Sequence, residues 1–157
     1  MRKALLAFFL LFSFNSYGAG AKIDIPKYDW SWKGFFGTYD RASAQRGLKV
    51  YREVCAGCHS MNYLAYRNLG DLGFSEDHIK AIAAEHLILD GPDDEGEMFE
   101  RDGIPSDQFA NPYPNVKAAR AANNGAYPPD LSLIVKARPK GADYVKALLL
   151  GYVDPPE

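Results

Sequence analysis

Cysteine is scarce in this sequence: two residues in 157. A disulfide framework is therefore excluded as the source of stability, because small disulfide scaffolds carry several bridges. Positive charge is not in excess either. Lys and Arg number 18 against 20 Asp and Glu, a formal charge of −2, and no nucleic acid is expected as a partner, since phosphate binding needs a basic face. Beyond the first dozen residues there is no apolar run of the ~20 residues that cross a bilayer. With 47% apolar and 24% charged residues, the composition is that of a folded chain and not of a disordered one. The length suits one domain, not a multidomain enzyme. Turn formers are abundant, 14 Gly and 10 Pro, so a loop-rich fold is expected.

Arg2 and Lys3 precede an unbroken apolar run from Ala4 to Phe12, and small residues follow, ending in Ala19-Gly20-Ala21. A positive start, a short apolar core and an A-x-A pattern read as an export signal over residues 1–21. The run is about half of the ~20 residues a transmembrane helix needs. The mature domain is then expected over residues 22–157, outside the cytoplasm.

The two cysteines stand in Cys55-Ala56-Gly57-Cys58-His59, a C-x-x-C-H run that reads as c-type haem attachment. Each thiol adds across one haem vinyl group. Two intervening residues let both sulfurs reach one porphyrin edge, and the adjacent His59 lies where its imidazole can ligate iron. A thioredoxin-like dithiol does not require the histidine and belongs in a βαβ setting absent here. A zinc site needs four ligands, and there is no second cysteine pair. One covalent haem c is the expected cofactor.

Residues 40–54 carry Gly47, Leu48, Tyr51 and Val54 on one helical face with Asp40 as N-cap. Gly47 costs a helix about 1 kcal/mol relative to Ala and is expected to mark a close approach by another element. Helices are also expected over 75–89, 115–124, 130–137 and 142–150, with no convincing strand pairs. Trp30, Trp32, Phe35, Phe36 and Tyr39 form an aromatic lead-in expected to cover the core, the alternative being part of a haem pocket wall. Residues 90–101 hold six acids and one Arg and read as a solvated acidic loop. Its other reading is a docking site for a basic electron-transfer partner, steered by charge. His78 and His86 read as surface residues, the alternative being a second iron ligand. The fold class is mostly α, with long loops around the haem.

From about residue 30 onward the chain resembles the cytochrome c1 family, the haem subunit of respiratory complex III (ubiquinol–cytochrome c reductase). The matching stretches are 51–61 (YREVCAGCHSM), 65–69 (AYRNL), 118–132 (AARAANNGAYPPDLS), 142–145 (ADYV) and Gly151-Tyr152. The resemblance implies a class I cytochrome c-like fold. It implies that Cys55 and Cys58 hold the haem, that His59 is the proximal ligand and that Arg120 pairs with a propionate. It further implies that Tyr127 and Pro129 lie near the haem in a turn braced by Asn124.

The implied function is electron transfer, from the Rieske iron–sulfur protein to cytochrome c, beside cytochrome b on the periplasmic side of a membrane. The chain would be a subunit of that enzyme and not a catalyst by itself. In the family the sixth iron ligand is a Met beyond Gly151-Tyr152. The sequence is therefore expected to be C-terminally incomplete, lacking that segment, a C-terminal helix and a membrane anchor. Of its own methionines, Met61 starts on the proximal side and Met98 lies in the acidic loop, so no sixth ligand is assigned. The alternative function is a stand-alone exported haem module whose sixth position is open or taken by His78 or His86.

Overall fold

A computed structural model describes residues 24–154. The export signal expected over 1–21 lies outside the described residues. Residues 24–39 form a strap without regular structure. Helix α1, Arg41–Glu53, follows with Asp40 as N-cap, its carboxylate accepting from Ser43 N at 3.2 Å. Tyr51 is its buried residue, and Leu48 packs on the same core. Gly47 is open: a Cβ there would meet nothing within 4 Å among the described residues, so the expected close approach is not seen.

A 3-10 turn over Cys55–Gly57 and a 3-10 helix over Tyr66–Leu72 lead to α2, Glu76–Ala83, capped by Ser75. The core joins Tyr51, Tyr66, Leu69, Ile79, Ile82, Ala83 and Phe109. Backbone bonds from Tyr66 N to Asp107 O, from Arg67 N to Pro105 O and from Phe109 N to Leu64 O lay residues 105–109 along 64–67.

The helix expected over 75–89 ends at Ala83, and strands appear where none was expected. Strand β1, Leu87–Asp90, pairs antiparallel with β2, Phe99–Asp102. The reason is packing at Ala83, which is fully buried. Gly103 presses so closely on it that a Cβ would sit 2.5 Å from the Ala83 carbonyl oxygen. Gly103 N also donates to the His86 carbonyl at 2.9 Å, so the backbone leaves α2 to pair with the returning strand. Residues 91–98 remain the exposed acidic loop expected, and the strands on either side make it the tip of a hairpin. Arg101 bridges Asp90 and Asp107, and Asp93 accepts from Glu95 N and Glu97 N at the tip.

Helix α3 is Val116–Ala122, capped by Asn115. Helix α4 is Ile134–Ala137, shorter than expected, and residues 130–132 before it are tied to the segment after His59, Leu131 N donating to Ser60 O. Helix α5, Ala142–Leu150, runs as expected. The aromatic lead-in is not core cover: Phe35 and Phe36 are 95% and 90% exposed. Trp32 stacks between Trp30 and Tyr39, and Trp30 is fastened to α5 through Asp143. No helix of the described residues is long and apolar enough to cross a membrane. The architecture is mostly α with one small hairpin.

Candidate functional site

The Cys55–Gly57 turn begins where α1 stops. His59 N and Cys58 N both bond the Cys55 carbonyl, at 2.8 and 3.1 Å, which coils the pentapeptide tightly. Both thiols are free, Cys55 half-buried against the core and Cys58 exposed. The His59 ring Nδ1 lies 2.8 Å from the Pro129 carbonyl oxygen. A carbonyl only accepts, so Nδ1 carries the proton, and in the neutral ring the lone pair is then on Nε2. A metal-ligating imidazole is arranged in this way, oriented by the hydrogen bond on its other nitrogen. Cys55, Cys58, His59 and Pro129, expected from sequence as one site, are brought together.

The turn carrying Pro129 is sewn to the segment after His59. Asp130 Oδ2 accepts from Ser60 Oγ and Asn62 N, both at 2.8 Å, and its Oδ1 accepts from Ser132 N at 2.8 Å. Leu131 N donates to Ser60 O at 2.9 Å, and Tyr63 N donates to Ser132 Oγ at 3.0 Å. Burial alone would raise the Asp130 pKa. The donors from Ser132, Asn62 and Ser60 outweigh it and hold the carboxyl at about 2. Tyr51 Oη donates to the His59 carbonyl at 3.2 Å, and burial first, then nearby Asp130, pushes its pKa up to about 12. Tyr51 therefore keeps its proton.

On the other side of Cys58 is an open cleft of about 140 Å³. Tyr113, Val116, Ala119, Tyr127 and Pro128 line it with Cys58. Asn123 Nδ2 donates to Tyr113 Oη at 3.1 Å, and Tyr113 Oη lies 3.9 Å from Cys58 Sγ. Arg120 is turned onto the backbone, donating to the Gly125 carbonyl at 2.7 Å. Asn124 adopts φ +50° and Gly125 φ +87°, the left-handed geometry that ends α3 and turns the chain toward Tyr127.

The remaining candidates are dispersed. His78 is exposed on α2, and His86 stacks on Tyr66. Met61 packs against the core, and Met98 is half exposed on the hairpin.

This donor set fits a haem. Two free thiols three residues apart are followed directly by a histidine with one nitrogen pinned and one available. Tyr127, Val116 and Val54 present apolar surface to solvent, 46%, 48% and 70% exposed, of the kind a macrocycle would cover. Asp130, Ser60 and Tyr113 were not singled out from the sequence. The Pro-Pro-Asp run was the available signal, a rigid turn followed by a side chain that commonly accepts backbone N–H groups.

A family model described as the Cytochrome C1 family matches residues 30–157. Cytochrome c1 of Rhodospirillum rubrum is 57% identical over 130 residues, covering 83% of this chain and 48% of that protein. The mitochondrial cytochrome c1-2 heme protein of Solanum tuberosum is 55% identical over 134 residues, 85% of this chain and 52% of its own. The mitochondrial cytochrome c1 heme protein of Schizosaccharomyces pombe is 47% identical over 151 residues, 91% and 49%. The chain spans about half the length of these curated relatives. With the family model matching most of its length and the haem-type pentapeptide pinned by its own turn, the chain belongs to the cytochrome c1 family.

Proposed function

We propose that this chain is the haem-bearing electron carrier of a complex III-type assembly. Its cofactor is one covalently bound haem c, the cofactor of its family. In this reading Cys55 and Cys58 form the two thioether links and His59 Nε2 is the proximal ligand. The observation that carries it is the 2.8 Å contact between His59 Nδ1 and the Pro129 carbonyl, because it fixes the tautomer that leaves Nε2 for iron.

When bound, the haem supplies a one-electron Fe(III)/Fe(II) couple. The protein's own residues do the rest. Cys55 and Cys58 would hold the haem covalently, and Pro129 orients the His59 imidazole that would ligate its iron. Tyr127 and Pro128 wall the cleft beside Cys58. Arg120 and Asn124 hold the turn that brings Tyr127 and Pro129 into place, the guanidinium being bonded to the Gly125 carbonyl.

The donor is a Rieske-type iron–sulfur protein and the acceptor a cytochrome c, with cytochrome b as neighbouring subunit. The acidic hairpin at 90–100 steers a basic acceptor by charge, in a contact weakened by salt. The location is the periplasmic side of a bacterial membrane, reached through the signal at 1–21. A related subunit from Candida albicans, 53% identical over 131 residues, is named the catalytic subunit of the cytochrome b-c1 complex, which supports this assembly.

The test is expression with periplasmic haem attachment, followed by peroxidase staining on a denaturing gel and stopped-flow mixing of the reduced protein with oxidised cytochrome c. Covalent haem and salt-sensitive oxidation are expected. A chain that matures without covalent haem, or a haem protein that cannot reduce cytochrome c, overturns the reading. Ready CO binding by the reduced protein would favour the open-position module instead.

A further inference from the structure

The backbone around His59 is held from one point that no motif identifies. Asp130 directly follows the residue whose carbonyl meets His59 Nδ1, and Ser60 directly follows His59 itself. Both Asp130 oxygens are used: Oδ2 by Ser60 Oγ and Asn62 N, Oδ1 by Ser132 N, each at 2.8 Å. One carboxylate thus ties together the two backbone segments that flank the His59–Pro129 contact, 70 residues apart in sequence. Hydrogen bonds to a charged acceptor are the stronger class, and half-burial keeps solvent from competing for them.

We propose that Asp130 is a positioning residue for His59: its grip on Ser60, Asn62 and Ser132 fixes the Pro129 carbonyl on His59 Nδ1 and so sets the electron density that the imidazole offers to iron. The inference rests on the haem reading above. A firm Nδ1–H···O=C bond makes the ring a better donor and favours the oxidised metal. Loosening it favours the reduced metal. Loss of a fixed negative charge close to the site acts in the same direction.

The experiment compares the haem-loaded parent chain with Asp130→Ala, Asp130→Asn, Ser60→Ala and Asp71→Asn. Three quantities are read: covalent haem content, midpoint potential by spectroelectrochemistry, and exchange of the His59 Nδ1 proton by NMR. Asp130→Ala is expected to keep its haem and to exchange the ring proton at least about tenfold faster. Its potential should shift positively by up to about a tenfold change in the reduction equilibrium, 59 mV for one electron.

Asp130→Asn retains one acceptor oxygen and should move both readouts the same way by less. Ser60→Ala removes a single donor and should move them least among the site variants. Asp71→Asn, an equal charge change at an exposed position on the Tyr66–Leu72 3-10 helix, should leave the parent's values. An Asp130→Ala protein with the parent's potential and exchange rate overturns the proposal. If that variant does not fold, unchanged values in Asp130→Asn overturn it. Absence of haem in the parent would count against the functional reading, whereas the ring proton's exchange in the parent and Asp130 variants decides the positioning role by itself.

Discussion

Trp30 and Asp143, 113 residues apart in sequence, meet at 2.6 Å, the indole N–H donating to the Asp143 carboxylate. The same carboxylate takes Tyr28 N at 3.2 Å and Lys33 Nζ at 3.4 Å. Lys146, one turn further along α5, sits 4.1 Å over the Tyr28 ring. A single buried acid on α5 therefore fastens the strap that precedes α1. Asp143→Ala is expected to free that strap. Amide exchange at Tyr28 should accelerate, tryptophan emission should move to longer wavelength, and the thermal midpoint should fall. Unchanged exchange at Tyr28 would rule out the clasp.

Cys58→Ala leaves at most one thioether link. Stable haem incorporation should fall steeply, and mass spectrometry of the denatured chain should find little haem adduct. Normal covalent haem in this variant would remove Cys58 from the attachment site.

Arg120 was expected from sequence to bind a propionate, and the structure turns it onto Gly125 O. The two roles separate experimentally. As a brace for the turn, Arg120→Gln should lower the thermal midpoint of the haem-loaded chain and leave its reduction potential within error of the parent. A large potential change with an unchanged melt would restore the propionate role.

The hairpin should be acid-labile. Arg101 donates to both Asp90 and Asp107, and these bonds hold both carboxyls below their ordinary value of 3.8. A carboxyl depressed in the folded state contributes stability above its unfolded pKa and loses it as pH falls through the folded value. Amide protection of β1 and β2 should thus be constant above about pH 5 and decline below pH 4. Arg101→Gln should abolish that acid-dependent decline by lowering protection throughout. Protection that does not respond to acid in the parent would contradict this coupling.

Leu69 is the largest fully buried side chain among the described residues, 1% exposed between Tyr66, Ile79 and Ile82. Leu69→Ala should cost about 2–5 kcal/mol, the range for truncating a buried leucine. Denaturant unfolding of the haem-loaded chain measures it, and a loss below about 1 kcal/mol would show that this cluster is not the core.

Local signals were legible where they depended on neighbours in sequence. Asp40 caps the helix that follows it, as its position implied, because an N-cap is a contact across three residues. The cysteines and His59 were legible for the same reason. The hairpin was not, since Leu87–Asp90 carries apolar residues that read as well on a helix, and the decision is made by Gly103 against Ala83. Phe35 and Phe36 were misjudged because apolar character does not reveal whether a partner exists. Asp130 escaped notice because its importance comes from Ser60 and Asn62, nearly half the chain away in sequence, and no spacing rule reports that.

The two halves of the haem site differ in how far the chain must loop to make them. The cysteine turn closes within five residues and follows directly on a capped helix. The clamp of Pro129 on His59 closes a loop of 70 residues, whose entropy must be met by contacts made afterwards. On loop-closure entropy alone, the cysteine turn is the less costly of the two to form and the clamp on His59 the more costly.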